Sequence, residues 1–126
     1  MIGGLDIWKW KQTINNPPSG GFEKISLWFA GPSSSNYVHA DNHEMKWDNN
    51  NRLYIGNDGG IGISQDYGEN FYPSNRGYNV TQFYGIAFDR EGSVMGGAQD
   101  NGTLYNDHSN NTYEEFREVL GGDGFE

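Results

Sequence analysis

The stretch Tyr54-Ile55-Gly56-Asn57-Asp58-Gly59-Gly60-Ile61-Gly62-Ile63-Ser64-Gln65-Asp66-Tyr67-Gly68-Glu69-Asn70-Phe71 packs two short strands and two different turns into very few residues. Apolar positions in Leu53 to Gly56 and Ile61 to Ser64 flank Asp58-Gly59-Gly60, a turn signal between two strand signals. From Ser64 the spacing becomes Ser-x-Asp-x-Gly-x-x-aromatic. An Asp can accept hydrogen bonds from backbone N–H groups just ahead of it, a Gly can take the positive φ of a tight turn, and an aromatic ring can cover the corner. A rigid β-hairpin corner is expected, with Ser64, Asp66, Gly68 and Phe71 as its structural parts.

Working outward, two units can be laid side by side. The first has strands at Met45 to Trp47, Leu53 to Gly56 and Ile61 to Ser64, with a fourth at Phe71. The second has strands at Phe83 to Phe88, Val94 to Gly97, Thr103 to Tyr105 and Glu115 to Val119. Asp48 answers to Asp89, Leu53 to Val94, Gly56 to Gly97 and Asp58 to Asp100, an offset of 41 to 42 residues. Four short strands joined by tight turns, repeating at about 40 to 50 residues, are the signature of a propeller blade. The expected fold is all-β, with blades of four antiparallel strands in an incomplete ring. Residues 1–36 give a partial blade, 37–78 and 79–120 one blade each, and 121–126 the start of another. Tyr113 to Leu120 suits an outer strand, with a helix as the alternative.

Earlier in the chain, Gly3 to Lys11 is expected as a strand, Asn15 to Gly21 as a loop, Phe22 to Phe29 as a strand and Gly31 to Asn36 as a loop. About two and a half blades cannot close a ring, which needs four or more. The chain is therefore expected to be a fragment of a larger propeller or one protomer of a ring completed by copies of itself.

Composition narrows the function classes. Hydrophobic residues make up 34% of the 126 and aromatics 15%, so the core depends on flat side chains, a habit of sheets. The net charge of −9 argues against nucleic acid as a partner, since phosphate binding rests on clustered Lys and Arg. The absence of cysteine excludes disulfides, thiolate metal sites and Cys nucleophiles. No run approaches the roughly 18 apolar residues of a membrane span, and Met1 to Lys11 is not a signal peptide.

Ser64 to Phe71 resembles an Asp-box, the repeat of bacterial neuraminidases (BNR). Taken with His39-Ala40-Asp41-Asn42-His43, Tyr54 to Gly60, Gln82-Phe83-Tyr84, Gly96 to Thr103 and Gly121-Gly122-Asp123-Gly124, the ordered series resembles secreted propellers of the sortilin-like and xyloglucanase-like group, of the kind common on Bacteroidetes surfaces. Two departures stand out. Asn70-Phe71 replaces the usual Thr-Trp, which keeps the aromatic and drops the hydroxyl, and Asn106 to Asn111 shows no Asp-box. The resemblance implies a secreted or cell-surface β-propeller. It implies either a binding or scaffold module for a glycan or protein, not catalytic on its own, or part of a xyloglucanase-like or sialidase-like glycoside hydrolase using paired Asp carboxylates.

The hydrolytic reading draws on Asp58, Asp100 and Asp123, whose loops could converge. Glycosidic cleavage needs two carboxyl groups of different pKa across the bond. The plainer reading is that Asp58 and Asp100 cap their glycine turns. Ligand-binding candidates are His39, Asp41, His43, Asn57, Asp58, Gln99, Asp100, Asn101 and Asp123. In a strand His39, Asp41 and His43 would share one face; a zinc site would want a further ligand, so no metal is assigned and the three are read as a hydrogen-bonded network. No cofactor is expected; Asp107, Asn106 and Asn110, or Asp48 to Asn51, are hard-oxygen groups suited to Ca2+ but lack the spacing of a calcium loop. Trp8, Trp10, Trp28, Trp47, Tyr67, Tyr78 and Tyr84 are available to stack on sugars, the alternative being packing between blades. Asn79-Val80-Thr81, Asn101-Gly102-Thr103 and Asn110-Asn111-Thr112 spell glycosylation sequons.

Overall fold

The computed structural model describes residues 1–14, 17, 19–78, 81–108 and 116–124. The described residues are all-β, with three antiparallel sheets and no helix, so none that could cross a membrane. The chain divides into two compact units, Met1–Tyr78 and Asn79–Glu126.

In the first unit, β1 (Trp8–Thr13) and β2 (Ser19–Lys24) form a two-stranded hairpin with Trp10 opposite Phe22. Their rings meet edge to face at 5.3 Å. This corrects the expected boundaries at both ends. Gly4 to Asp6 is bent and joins strand structure only through the Ile2–Trp8 bridge, so the strand starts at Trp8. Ser19 to Gly21 is strand rather than loop, and a Cβ at Gly20 would strike the Trp10 indole. The Ile25 N to Ile7 O bond continues the hairpin register by one step, and beyond it the backbone leaves the hairpin, with Leu27 N bonded to Asn36 O and Trp28 N to Asp6 Oδ1.

The second sheet of this unit is a meander in chain order: β3 (Glu44–Trp47), β4 (Leu53–Asn57), β5 (Gly60–Ser64) and β6 (Tyr72–Pro73). Trp47 pairs with Leu53 and Met45 with Ile55, so period-two alternation sends these four side chains to one face. There Leu53 and Ile55 join Ile7, Val38 and Phe71 in the buried core, with Ile25 and Met45 packed against it. Each large aliphatic side chain so buried contributes about 1.5–3 kcal/mol. The fourth strand was expected at Phe71; the ring instead plugs the core one residue ahead of β6, and Pro73 sits on an edge strand, where its missing N–H costs least. The segment that covers the core is itself tied down. Ser26 Oγ accepts from Ile7 N at 2.8 Å, and the buried Asp6 carboxylate accepts from Trp28 N and from Lys24 Nζ.

The second unit repeats the meander with β7 (Phe83–Phe88), β8 (Val94–Ala98), β9 (Thr103–Asn106) and β10 (Arg117–Leu120). Strand geometry replaces the helix alternative over 117–120, while 113–115 lie outside the described residues. Phe88 pairs with Val94 as Trp47 does with Leu53, and Ile86 with Gly96 as Met45 does with Ile55. The register shifts between Phe83 and Gly85 and again between Glu118 and Leu120. Among the described residues of this unit, Ala98 is the buried hydrophobic; Ile86 and Phe88 are 64% and 77% exposed.

The first connection of both meanders is closed the same way. Asp48 Oδ1 accepts from Asn50 N and Arg52 N, and Asp89 Oδ1 from Glu91 N and Ser93 N. The Arg52 backbone bond, more than burial can offset, holds the Asp48 carboxyl below the ordinary carboxylate range. At Asp89 burial pulls upward, but bonds from Ser93, Gly92 and Glu91 win and the shift is also downward.

Candidate functional site

Each meander has two ends. One end of the β3–β6 sheet holds the Asp48 loop and the Ser64–Phe71 corner. Ser64 Oγ donates to Asp66 Oδ1 at 2.9 Å and accepts from Gly68 N at 2.8 Å. Asp66 Oδ1 also accepts from Glu69 N and Asn70 N, and Asp66 Oδ2 from Asn70 Nδ2 at 2.7 Å. The Asn70 side-chain amide thus bonds the carboxylate directly. It heads the causes that lower the Asp66 pKa to about 2, ahead of the Asn70 backbone bond. Tyr67 and Gly68 both take positive φ, 62° and 87°, and a Cβ at Gly68 would press on Ile25 and Met1. Asp66, Ser64, Gly68 and Phe71 therefore act on one another and on the core.

At the opposite end lies the β4–β5 turn, Asn57-Asp58-Gly59-Gly60. Asn57 Oδ1 accepts from Gly59 N, and Gly60 takes a φ of 117° that only glycine adopts readily. Asn75 spans the turn from outside: its Oδ1 accepts from Ile61 N at 2.8 Å and its Nδ2 donates to Gly59 O at 2.7 Å. Asp58 Oδ1 accepts from His43 Nε2 at 2.5 Å, with the His43 ring 64% exposed. The His39 ring lies against Gly59, where a Cβ would collide with it, and His39 Nδ1 is 3.2 Å from Ala40 O.

His39, Asp41 and His43 do not share a face. The segment is not a strand, and Asp41 has a φ of 60°, which breaks the alternation that the spacing suggested. Asp58 gains His43 as a partner and His39 as a neighbour of its turn. Among the described residues no three His, Asp or Glu side chains group in a way that could hold a metal. The Asp48 loop that offered hard oxygens is instead closed on its own backbone and on Arg52 Nε.

The matching end of the β7–β10 sheet holds Gln99-Asp100-Asn101-Gly102. Asp123 Oδ1 accepts from Asp100 N at 2.9 Å, so these two candidates come together within one unit, while Asp58 belongs to the other. Asp100 has a φ of 56° and Gly102 of 70°. Asn101 Nδ2 donates to Gln99 O, and Gln99 N to Gln82 O. Where Asn75 spans the first turn, backbone spans this one: Gly102 N bonds Gly122 O, Ala98 N bonds Gly102 O and Gly124 N bonds Ala98 O. A Cβ at Gly102 would strike the Leu120 carbonyl, and one at Gly124 the Gly102 carbonyl. The Tyr84 phenol is pushed above its ordinary pKa, first by desolvation and then by the charges of Asp123 and Asp100.

His43 and Tyr84 each stand one residue before the pairs Glu44–Gly56 and Gly85–Gly97, although the register shift between Phe83 and Gly85 makes Tyr84 the extra residue of its strand. In the first sheet this places the His43 ring on Asp58, and in the second the charges of Asp100 and Asp123 reach the Tyr84 phenol. Asn75 and Tyr84 were not predicted for this role, although Tyr84 stands 41 residues beyond His43 and its place in the repeat was legible. Of the sequon asparagines, Asn79 and Asn110 lie outside the described residues, and with Asn110 an oxygen considered for Ca2+. Comparison with family models, with curated proteins and with solved structures finds no match to this chain.

Proposed function

We propose that the chain is a segment of an extracellular β-propeller, acting as a binding or scaffold module for a glycan or protein ligand and carrying no catalysis by itself. The observation behind this reading is one construction built twice. Two four-stranded meanders with matched Asp48 and Asp89 loops each present an Asp-containing turn, Asp58 bonded to His43 in the first and Asp100 with Asp123 in the second. Consecutive four-stranded meanders at this repeat length are what propellers are made of. Carboxylates beside imidazole and phenol suit ligands rich in hydroxyl or amide groups. Further blades, or copies of the chain, would complete the ring. The test is a glycan array and protein pull-down with the full chain and its Asp58→Asn, Asp100→Asn and Asp123→Asn variants. Lost binding at an unchanged melting temperature supports the reading. Undiminished binding in the triple variant takes the ligand away from the Asp turns, and a full chain that binds nothing in either assay overturns the module reading.

A hydrolytic reading draws on the Asp123 side chain meeting the Asp100 backbone beside Tyr84, which puts two carboxyl-bearing residues in one loop cluster. Turnover of β-glucans or sialosides that Asp123→Asn abolishes would favour it. No turnover by a preparation that binds the same sugars would remove it.

A further inference from the structure

Trp47 ends β3 and Tyr67 occupies the middle of the Ser64–Phe71 corner, at the end of the sheet away from the Asp58 turn. Their rings lie 5.9 Å apart at a 38° tilt, and both residues are about half exposed, 47% and 56%. A missing layer does not explain that exposure, because the face from which Trp47 projects is already covered: Leu53, its cross-strand partner, is 1% exposed beneath Ile7, Val38 and Phe71.

Tyr67 is a second oddity. It holds a φ of 62°, a conformation that a bulky side chain adopts only at a cost and that an ordinary turn would give to Gly or Asn. Such outliers persist where the surroundings enforce them and cluster at binding sites. Here Lys9 Nζ donates to Tyr67 O at 2.6 Å and reaches Glu69 Oε1 at 3.4 Å, holding the backbone and setting one cation and one carboxylate beside the rings.

We propose that Trp47 and Tyr67 form a stacking platform for a neutral pyranose chain, with Lys9 and Glu69 as flanking hydrogen-bonding groups. Two adjacent, tilted aromatic faces suit consecutive rings of a twisted oligosaccharide, whose apolar C–H faces stack while its hydroxyls meet the polar rim. The net charge of −9 disfavours sulfated or uronate-rich polymers and leaves the uncharged class. From the binding-module reading the platform takes only its ligand class; its location is at the other end of the sheet.

The test is isothermal titration of the full chain with cellohexaose, xylohexaose and mannohexaose, repeated with Trp47→Ala, Tyr67→Gly and the double variant Asp58→Ala/Asp100→Ala. Loss of stacking should weaken binding about tenfold or more in Trp47→Ala and in Tyr67→Gly. Tyr67→Gly relieves the positive φ, so its melting temperature should hold or rise and its lost affinity cannot be unfolding. The Asp58→Ala/Asp100→Ala variant tells the platform from the Asp turns: hexaose binding that survives there and is lost in Trp47→Ala belongs to the platform. If no hexaose binds, or Tyr67→Gly binds undiminished, the platform is refuted. If only Asp58→Ala/Asp100→Ala loses binding, the sugar belongs to the turn site and the platform fails while the module reading stands.

Discussion

Leu53 and Val94 hold the same place on the second strands of the two meanders, opposite Trp47 and Phe88, yet Leu53 is 1% exposed and Val94 is only half-buried. The sheets share strand order, first-loop chemistry and turn position. What differs is the cover. Residues before β3 supply Ile7, Ile25 and Val38 to one face of the first sheet, whereas the equivalent face of the second presents Ile86 and Phe88 to solvent. The comparison separates what a meander carries in its own sequence from what it must receive: turns and register are local, and a core is not. It also shows one task met by two means, since a side-chain amide, Asn75, spans the first Asp turn and a glycine-rich backbone spans the second.

The sharpest break of this comparison is a matched pair of truncations. Leu53→Ala should cost about 3 kcal/mol by urea denaturation, as buried Leu-to-Ala changes do. Val94→Ala should cost about 1 kcal/mol or less, because less surface is lost. Equal costs would mean that the second sheet is covered in solution.

Next comes the bracing of the turns. Gly102→Ala should destabilise by about 2 kcal/mol, since it combines a positive φ with a clash against the Leu120 carbonyl. Asn75→Ala, which removes two hydrogen bonds, should cost about 1 kcal/mol. The reverse order, read from thermal melts, would contradict the division into backbone and side-chain bracing.

The third effect is acid sensitivity. The Asp66 pKa lies below its unfolded value, so its stabilisation is present in full above about pH 4 and is lost as pH falls through about 2. After allowance for solvent screening that loss is about 1 kcal/mol. Urea midpoints of wild type and Asp66→Asn between pH 4 and pH 2 should converge. Parallel curves would show that the carboxylate is not what holds the corner.

The smallest effect is Tyr67→Gly. Relief of the left-handed strain is opposed by glycine's flexibility, so stability should rise by at most about 1 kcal/mol. A clear loss in a melt would mean that the Trp47 contact outweighs the strain.

The repeat was readable because its markers are local. Asp48 and Asp89 each bind N–H groups two and four residues on, and the Gly turns need particular φ values, so residue type reports geometry directly. The β1–β2 hairpin was obscured because Ser19-Gly20-Gly21 has the composition of a loop. Gly20 is there to admit the Trp10 ring, a contact with a partner on the other strand. Likewise the one-face reading of His39, Asp41 and His43 assumed a strand, and nothing in the residue types shows that Asp41 turns left-handed. The pairing of Asp100 with Asp123 spans 23 residues and depends on the return of β10, so only the tertiary structure could reveal it.

The distribution of the first core along the chain has a consequence for synthesis. Its members run from Ile7 to Phe71, and Lys9 bonds the Tyr67 carbonyl 58 residues away. A ribosome making this chain would release every component of the first unit before β7 exists, yet no part of that core can close until Phe71 has emerged. The core members that emerge first, Ile7, Ile25 and Val38, must therefore wait in solvent. This interval is one in which a strand-rich nascent chain is open to mispairing and in which a holding chaperone would have most effect.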